Sequence, residues 1–129
     1  MGQIKVYAHR ATLDRHRQTL SDALHEALVE AFAYPADKKF QRFLALEDGD
    51  FIHPADRSSD YLVIEVVLFP GRSPEAKKAF YRGVLGRLQS RCGLSRDAVE
   101  IVLIESAKEN WFLRGTPGDE LVLNYRVDV

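Results

Sequence analysis

A strand-helix-strand pattern runs through this chain twice, and a repeat of that kind leaves few folds open to it. In the first pass Ile4, Val6 and Ala8 alternate with Gln3, Lys5 and Tyr7, so residues 3–9 read as a half-buried strand. Thr12 is placed to cap the helix that follows, with Asp14 in its positive first turn. Leu20, Leu24, Leu28, Ala31 and Phe32 share one helical face, which Ala23 and Ala27 widen. Pro35 ends this helix no later than Tyr34, because the residue before a proline disfavours helical geometry. A second strand is predicted over 39–46, with Phe40, Arg42, Leu44 and Leu46 on one side and Gln41, Phe43 and Ala45 on the other. Glu47-Asp48-Gly49-Asp50 is turn chemistry, and residues 53–59 read as a polar loop.

The second pass is punctuated more sharply. Residues 61–69 form a β-branched and aliphatic run broken only by Glu65, which predicts a strand covered on both faces for most of its length. Ser73-Pro74-Glu75 opens a helix with a hydroxyl cap, a proline at the first helical position and a carboxylate in the first turn. Ala76, Phe80, Val84 and Leu88 line one face, Leu85 lies beside them, and Gly93 supplies the left-handed end. Residues 99–104 read as another buried strand. After Trp111 and the turn residues Gly115, Pro117 and Gly118, the alternation of Leu121, Leu123, Tyr125 and Val127 predicts a last strand over 121–127.

Each helix must cross over to a parallel neighbour, so the order predicts an α+β fold. Two β-α-β units form a four-stranded sheet with two helices on one face. The terminal strand is suited to pairing with another subunit, which points to an oligomer. Residues 1–129 read as a single domain, since 129 residues with 46% hydrophobic content can sustain one proper core. A formal net charge of -1 offers no footprint for nucleic acid or an anionic membrane. One cysteine, Cys92, rules out an internal disulfide or a multi-cysteine metal site, and the four histidines show no metal-ligand spacing. No stretch approaches a membrane span, and the start lacks the apolar core of a secretory signal. The Met1-Gly2 start does not make a myristoylation site, because Val6 stands where Ser or Thr is wanted. A soluble, cytoplasmic protein without metal or cofactor is expected.

Several segments together carry a family resemblance: DALHEALVEAF at 22–32, YPADKKFQ at 34–41, RSSDY at 57–61, GRSPEAKK at 71–78, and Leu103-Ile104-Glu105 leading to Trp111. In order and spacing the chain resembles the tautomerase superfamily, and within it the longer members similar to malonate semialdehyde decarboxylase. The resemblance implies a homotrimer with active sites between subunits at the N-terminal strands. It also implies a small carboxylic-acid substrate. Family members use an N-terminal proline, exposed by loss of the initiator Met, as general base or acid; here Gly2 holds that position. Its amine, once freed, would be an ordinary α-amino group that burial beside an arginine could turn into a base, or a nucleophile towards a carbonyl.

The resemblance also assigns Arg72 to the substrate carboxylate, a role that a guanidinium's paired donors fit. The second arginine of those members is missing, since Leu68-Phe69-Pro70-Gly71 occupies the aligned stretch. Asp37 lies near the family's water-activating aspartate, which aligns with Lys38, and Trp111 matches a tryptophan of the pocket wall. His9, at the end of the first strand, is placed near the pocket. Other readings stand beside these: Arg72 as a solvated loop residue, Asp37 as a turn carboxylate, Trp111 as a core or interface anchor, and His9 with Arg10 as a strand-end surface pair. Enol-keto tautomerisation of a small keto or enol acid is the favoured activity, because it asks for little beyond a base and stabilised oxygen charge. The alternatives are a non-catalytic trimeric homologue that binds or scaffolds, and a monomeric ferredoxin-like regulator.

Overall fold

The structure, a computed structural model, describes residues 2–129. Met1, on which the unmasking of the Gly2 amine depends, lies outside the described residues. Strand β1 (Gly2–His9) leads directly into helix α1 (Arg10–Phe32), followed by β2 (Gln41–Leu46). The second unit is β3 (Leu62–Leu68), α2 (Pro74–Cys92) and β4 (Val99–Glu105). These four strands make one sheet in the order β2-β1-β3-β4. Each unit's two strands run parallel, and β1 meets β3 antiparallel in the centre. A small hairpin, β5 (Phe112–Leu113) with β6 (Thr116–Pro117), follows.

The predicted architecture is therefore present: Ile4, Val6, Ala8, Ile64 and Val66 face the helices, which present Leu20, Leu24, Leu28, Phe80, Val84 and Leu88 to them. Residues 60 apart occupy matching places. Adding 60 to both members of the β1–β2 pair Ile4 and Gln41 gives Ile64 and Ile101, which are paired between β3 and β4. The ends of the two helices obey the same shift, with Ala33 and Gly93 both left-handed at φ 50° and 67°. The two units are thus related by a local two-fold between β1 and β3.

Boundaries differ from expectation where tertiary contacts compete with local signals. Helix α1 starts before Thr12, straight off the strand. Thr12 is 1% exposed and gives its hydroxyl hydrogen to Asp60 at 2.8 Å instead of capping the helix. At α2 the predicted cap is in place, Ser73 Oγ accepting from the Ala76 N–H at 3.2 Å. Strand β3 buries alternate residues only, and β4 is an edge strand with Val102 47% and Ile104 39% exposed. Both runs were expected to be covered on two faces; within one chain the helices cover only one.

The predicted strand over 121–127 is absent. Leu121, Leu123, Tyr125 and Val127 do point inward in alternation, but the segment lies on the protein's own surface without a ladder partner. Alternation reports that a segment has two unlike faces, not that a strand stands beside it. The tail is tied down by the Ser73 N–H bonding the Val129 carbonyl at 2.7 Å and by Tyr125 meeting Tyr34 edge-on at 5.5 Å. Gly71 makes this approach possible: its φ is +136°, and a Cβ there would stand 3.1 Å from the Val127 carbonyl oxygen.

The helices are also joined at the surface. Arg91 donates two hydrogen bonds of 2.8 Å to Glu26, and Arg87 reaches Glu26 at 3.6 Å and Glu30 at 2.5 Å. The Arg91 hydrogen bond holds the Glu26 carboxyl down at about 2, against an ordinary 4.5. A depressed folded-state value means that this pair stabilises fully above about pH 4.5 and is lost as pH falls towards 2. Glu26→Gln should therefore flatten the decline of the urea midpoint over that acid range, and an unchanged slope would refute the assignment.

Candidate active site

The first described residue lies deep in the fold. Gly2 is buried at the start of β1, paired with Leu68, and its N–H donates to the Tyr34 hydroxyl at 2.9 Å. Tyr34 follows the left-handed end of α1 and is 3% exposed. Burial pushes its phenol above the ordinary value, against the opposing pull of the Gly2 hydrogen bond and Arg72.

Arg72 stands in the loop between β3 and α2. It is 5% exposed, so the solvated-loop reading is overturned. Its Nη1 donates to the Phe69 carbonyl at 3.1 Å, and its guanidinium lies 5.2 Å from the centre of the Phe32 ring. Its buried Nε has no hydrogen-bond partner among the described residues. Burial lowers its pKa, while Tyr125, Tyr34 and Glu105 favour its charge; a guanidinium remains cationic at neutral pH regardless. Tyr125, from the tail, is pushed up to about 12, first by burial and then by Tyr34, with Arg72 opposing. Two phenols held protonated thus flank one buried cation.

Trp111 closes one side. Its ring meets Phe69 edge-on at 5.1 Å, and its Nε1–H donates to the Ser106 carbonyl at 3.1 Å. Gly118 allows the tail to turn beneath it, for a Cβ there would run into the Lys108 carbonyl and come within 2.9 Å of Trp111 Cβ.

Gly2 and Arg72 are therefore brought together through Tyr34, and Trp111 joins through Phe69. Asp37 is exposed on the turn after Pro35, where the Lys38 N–H bonds the Pro35 carbonyl at 3.0 Å, and is absent from the described contacts of Gly2 and Arg72. His9 is at the other end of β1, seven residues or roughly 23 Å from Gly2 at the usual strand rise. Its expected place beside the Gly2 pocket is not where the strand carries it, because a strand separates its two ends by its whole length. Tyr34 and Tyr125 were missed by the sequence reading. Tyr34 has a local signal in the Tyr34-Pro35 helix end, whereas the alternation around Tyr125 points to a strand that does not form.

Chemically, a buried cation with unused N–H groups can hold a carboxylate, and adjoining phenols can hydrogen-bond an oxygen that gains charge. The described residues contain no cluster of three or more metal-ligating side chains and no helix long and apolar enough to cross a membrane.

Known proteins agree with this arrangement. The Probable tautomerase YusQ of Bacillus subtilis (strain 168) is 29% identical over 99 residues, 73% of this chain and 78% of that one. A crystal structure of malonate semialdehyde decarboxylase, bearing on its decarboxylase and hydratase activities, superposes with a TM-score of 0.81 at 31% identity, covering 93% of this chain and 99% of that chain. A fused 4-OT, an asymmetric trimer, shares the fold at a TM-score of 0.77 and 20% identity, over 91% of this chain and 96% of that chain. Residues 38–114 match the Tautomerase_2 family, described as tautomerase enzyme. With the two β-α-β units, the inward first strand and the buried arginine after β3 all in place, this chain belongs to the tautomerase family.

Proposed function

We propose that this protein catalyses enol-keto tautomerisation of a small keto or enol carboxylic acid at the pocket of Gly2, Tyr34 and Arg72, as a cytoplasmic homotrimer. The observation that carries the reading is the burial of the residue-2 nitrogen against Tyr34, next to a buried guanidinium whose Nε is unmatched. Loss of Met1 would convert that nitrogen into an amine. Burial and the nearby Arg72 charge both disfavour its ammonium form, which leaves a base at neutral pH. Arg72 holds the substrate carboxylate. The amine takes the enol O–H proton and a proton is returned to the carbon, so the double bond passes from C=C to C=O without net change in charge. Tyr34 hydrogen-bonds the oxygen, and Phe69 and Trp111 wall the site. Asp37, exposed on the turn after Pro35, is assigned no step. Half-exposed Val102 and Ile104 on the uncovered sheet face support a trimer, as do the related fused 4-OT trimers.

The test is an N-terminal mass measurement followed by loss of enol absorbance with simple 2-keto acids. Chains starting at Gly2 should be active, and chains that retain Met1 should be at background. A Cβ on residue 2 would meet Tyr34 at an ordinary 3.6 Å, so Gly2→Pro should fold and match or exceed the parent rate. A processed parent no faster than Arg72→Met would remove the proposal.

The tail restricts entry, since Tyr125 and Val129 pack inward across the loop that carries Arg72. Tyr125→Ala is expected to raise the association rate of a small carboxylate about threefold or more, as loosening a lid does. Stopped-flow binding would check this, and an unchanged rate would mean that the tail does not gate the site.

A further inference from the structure

The two-fold between the units makes the His9 end of β1 the counterpart of the Gly2 end. Shifting by 60 takes His9 to Phe69, Thr12 to Arg72 and Phe51 to Trp111. The contacts shift with the numbers. His9 meets the Phe51 ring at 4.9 Å, as Phe69 meets Trp111 at 5.1 Å. A 3-10 turn precedes each outer ring, Asp48–Asp50 before Phe51 and Lys108–Asn110 before Trp111. Unlike the Gly2 end, which the tail covers, this end opens into a cleft of about 560 Å³ lined by His9, Thr12, Arg15, Phe51, His53 and Asp60.

The polar groups in the cleft are incompletely matched. The two Nε2 atoms of His9 and His53 are 2.8 Å apart, so one proton must lie between them. His53 Nδ1 faces the Pro54 carbonyl at 3.0 Å, which can only accept. His53 therefore presents a lone pair from Nε2 when neutral, and His9 donates to it. That leaves the His9 Nδ1 lone pair buried without a hydrogen bond. Asp48 is 3.0 Å away but off the hydrogen-bonding direction, and its own side chain is almost wholly exposed. On the facing wall Arg15 uses Nη2 on Asp60, which also accepts from Thr12; the described contacts leave the rest of its fork towards solvent.

We propose that this cleft is a second binding site, for a small monocarboxylate with an apolar body. The carboxylate lies against the unused N–H groups of Arg15, and the apolar body rests on Phe51 and the imidazole rings. The Arg15 guanidinium favours an anion here; Asp60 is already committed to Thr12 and Arg15, and the other carboxylate of the lining, Asp48, lies beside the His9 ring with its side chain turned to solvent. The inference stands on the sheet register and the cleft, and it does not depend on chemistry at Gly2.

The experiment is titration of the full chain with benzoate, followed through the imidazole nitrogen resonances of His9 and His53, with neutral benzamide as control. Benzoate should shift both histidines saturably in the millimolar range. Arg15→Ala, an exposed truncation, should weaken this binding by about tenfold or more, the usual effect of losing a charge-assisted hydrogen bond. Arg72→Met should leave it unchanged. No saturable shift, equal binding of benzamide, or full affinity in Arg15→Ala overturns the proposal. Loss of the shift in Arg72→Met also overturns it, because the histidines would then be reporting the other end. Persistence of the shift in an enzymatically silent protein would count against the tautomerase reading alone.

Discussion

Arg72→Met is expected to lower kcat/KM for ketonisation by a factor of about 10² to 10³, the usual scale for removing a pre-organised charged donor from an active site. Its effect on stability should run the other way. Arg72 is 5% exposed, its described hydrogen bond goes to a neutral carbonyl, and its Nε is unmatched. A buried cation held so weakly costs folding free energy, and an apolar side chain of similar length is often neutral or stabilising in such a place. Methionine would keep the contact with Phe32 and remove the desolvation cost. The expected result is a large loss of activity with an unchanged or raised Tm. Arg72→Lys should fall between, since it keeps a charge but loses the two-pronged geometry that matches a carboxylate. A variant that melts earlier and turns over normally would show that the guanidinium serves the fold and not a ligand.

Phe32→Ala should cost about 3–5 kcal/mol, the largest stability change anticipated for a single substitution here. Phe32 is wholly buried at the last position of α1, and it stacks on Phe80 with centroids 5.2 Å apart and planes 27° from parallel. It also lies beneath the Arg72 guanidinium. Truncation therefore opens a cavity between the helices and removes the surface on which the cation rests. Phe32→Leu separates these effects: most of the volume stays, so a loss of roughly 1–2 kcal/mol is expected, while the ring face is gone and carboxylate affinity should fall with it. Urea midpoints and a binding titration on both variants would measure the two effects. A cost under about 1 kcal/mol for Phe32→Ala would mean that the helix interface collapses around the gap.

These two residues show what a linear reading can and cannot reach. The spacing of Phe32 with Leu24 and Leu28 puts it in the core, because a helical period is a local quantity. The Ser73-Pro74 start and the Gly93 end of α2 were legible for the same reason. Arg72 could be singled out by family resemblance, but its burial depends on α1 and the tail meeting around it, through Phe32 and Tyr125, which lie 40 and 53 residues away in the chain. Thr12 looked like a cap until Asp60 supplied a stronger partner from another element. His9 and Gly2 bracket one strand, and its length alone carries them to opposite ends of the sheet.

Local pattern was enough to set the four strands and two helices of the main sheet, their order and inward faces, and hence two β-α-β units with a shared core. Periodicity, caps and breakers act within a few residues, where chain connectivity already holds the partners together. The tertiary structure alone decided that residues 121–129 fold back instead of forming a strand, that Arg72 is enclosed, and that β4 keeps an open face. Those outcomes turn on which surfaces compete to cover which, and such competition between distant segments leaves no period in the sequence of either one.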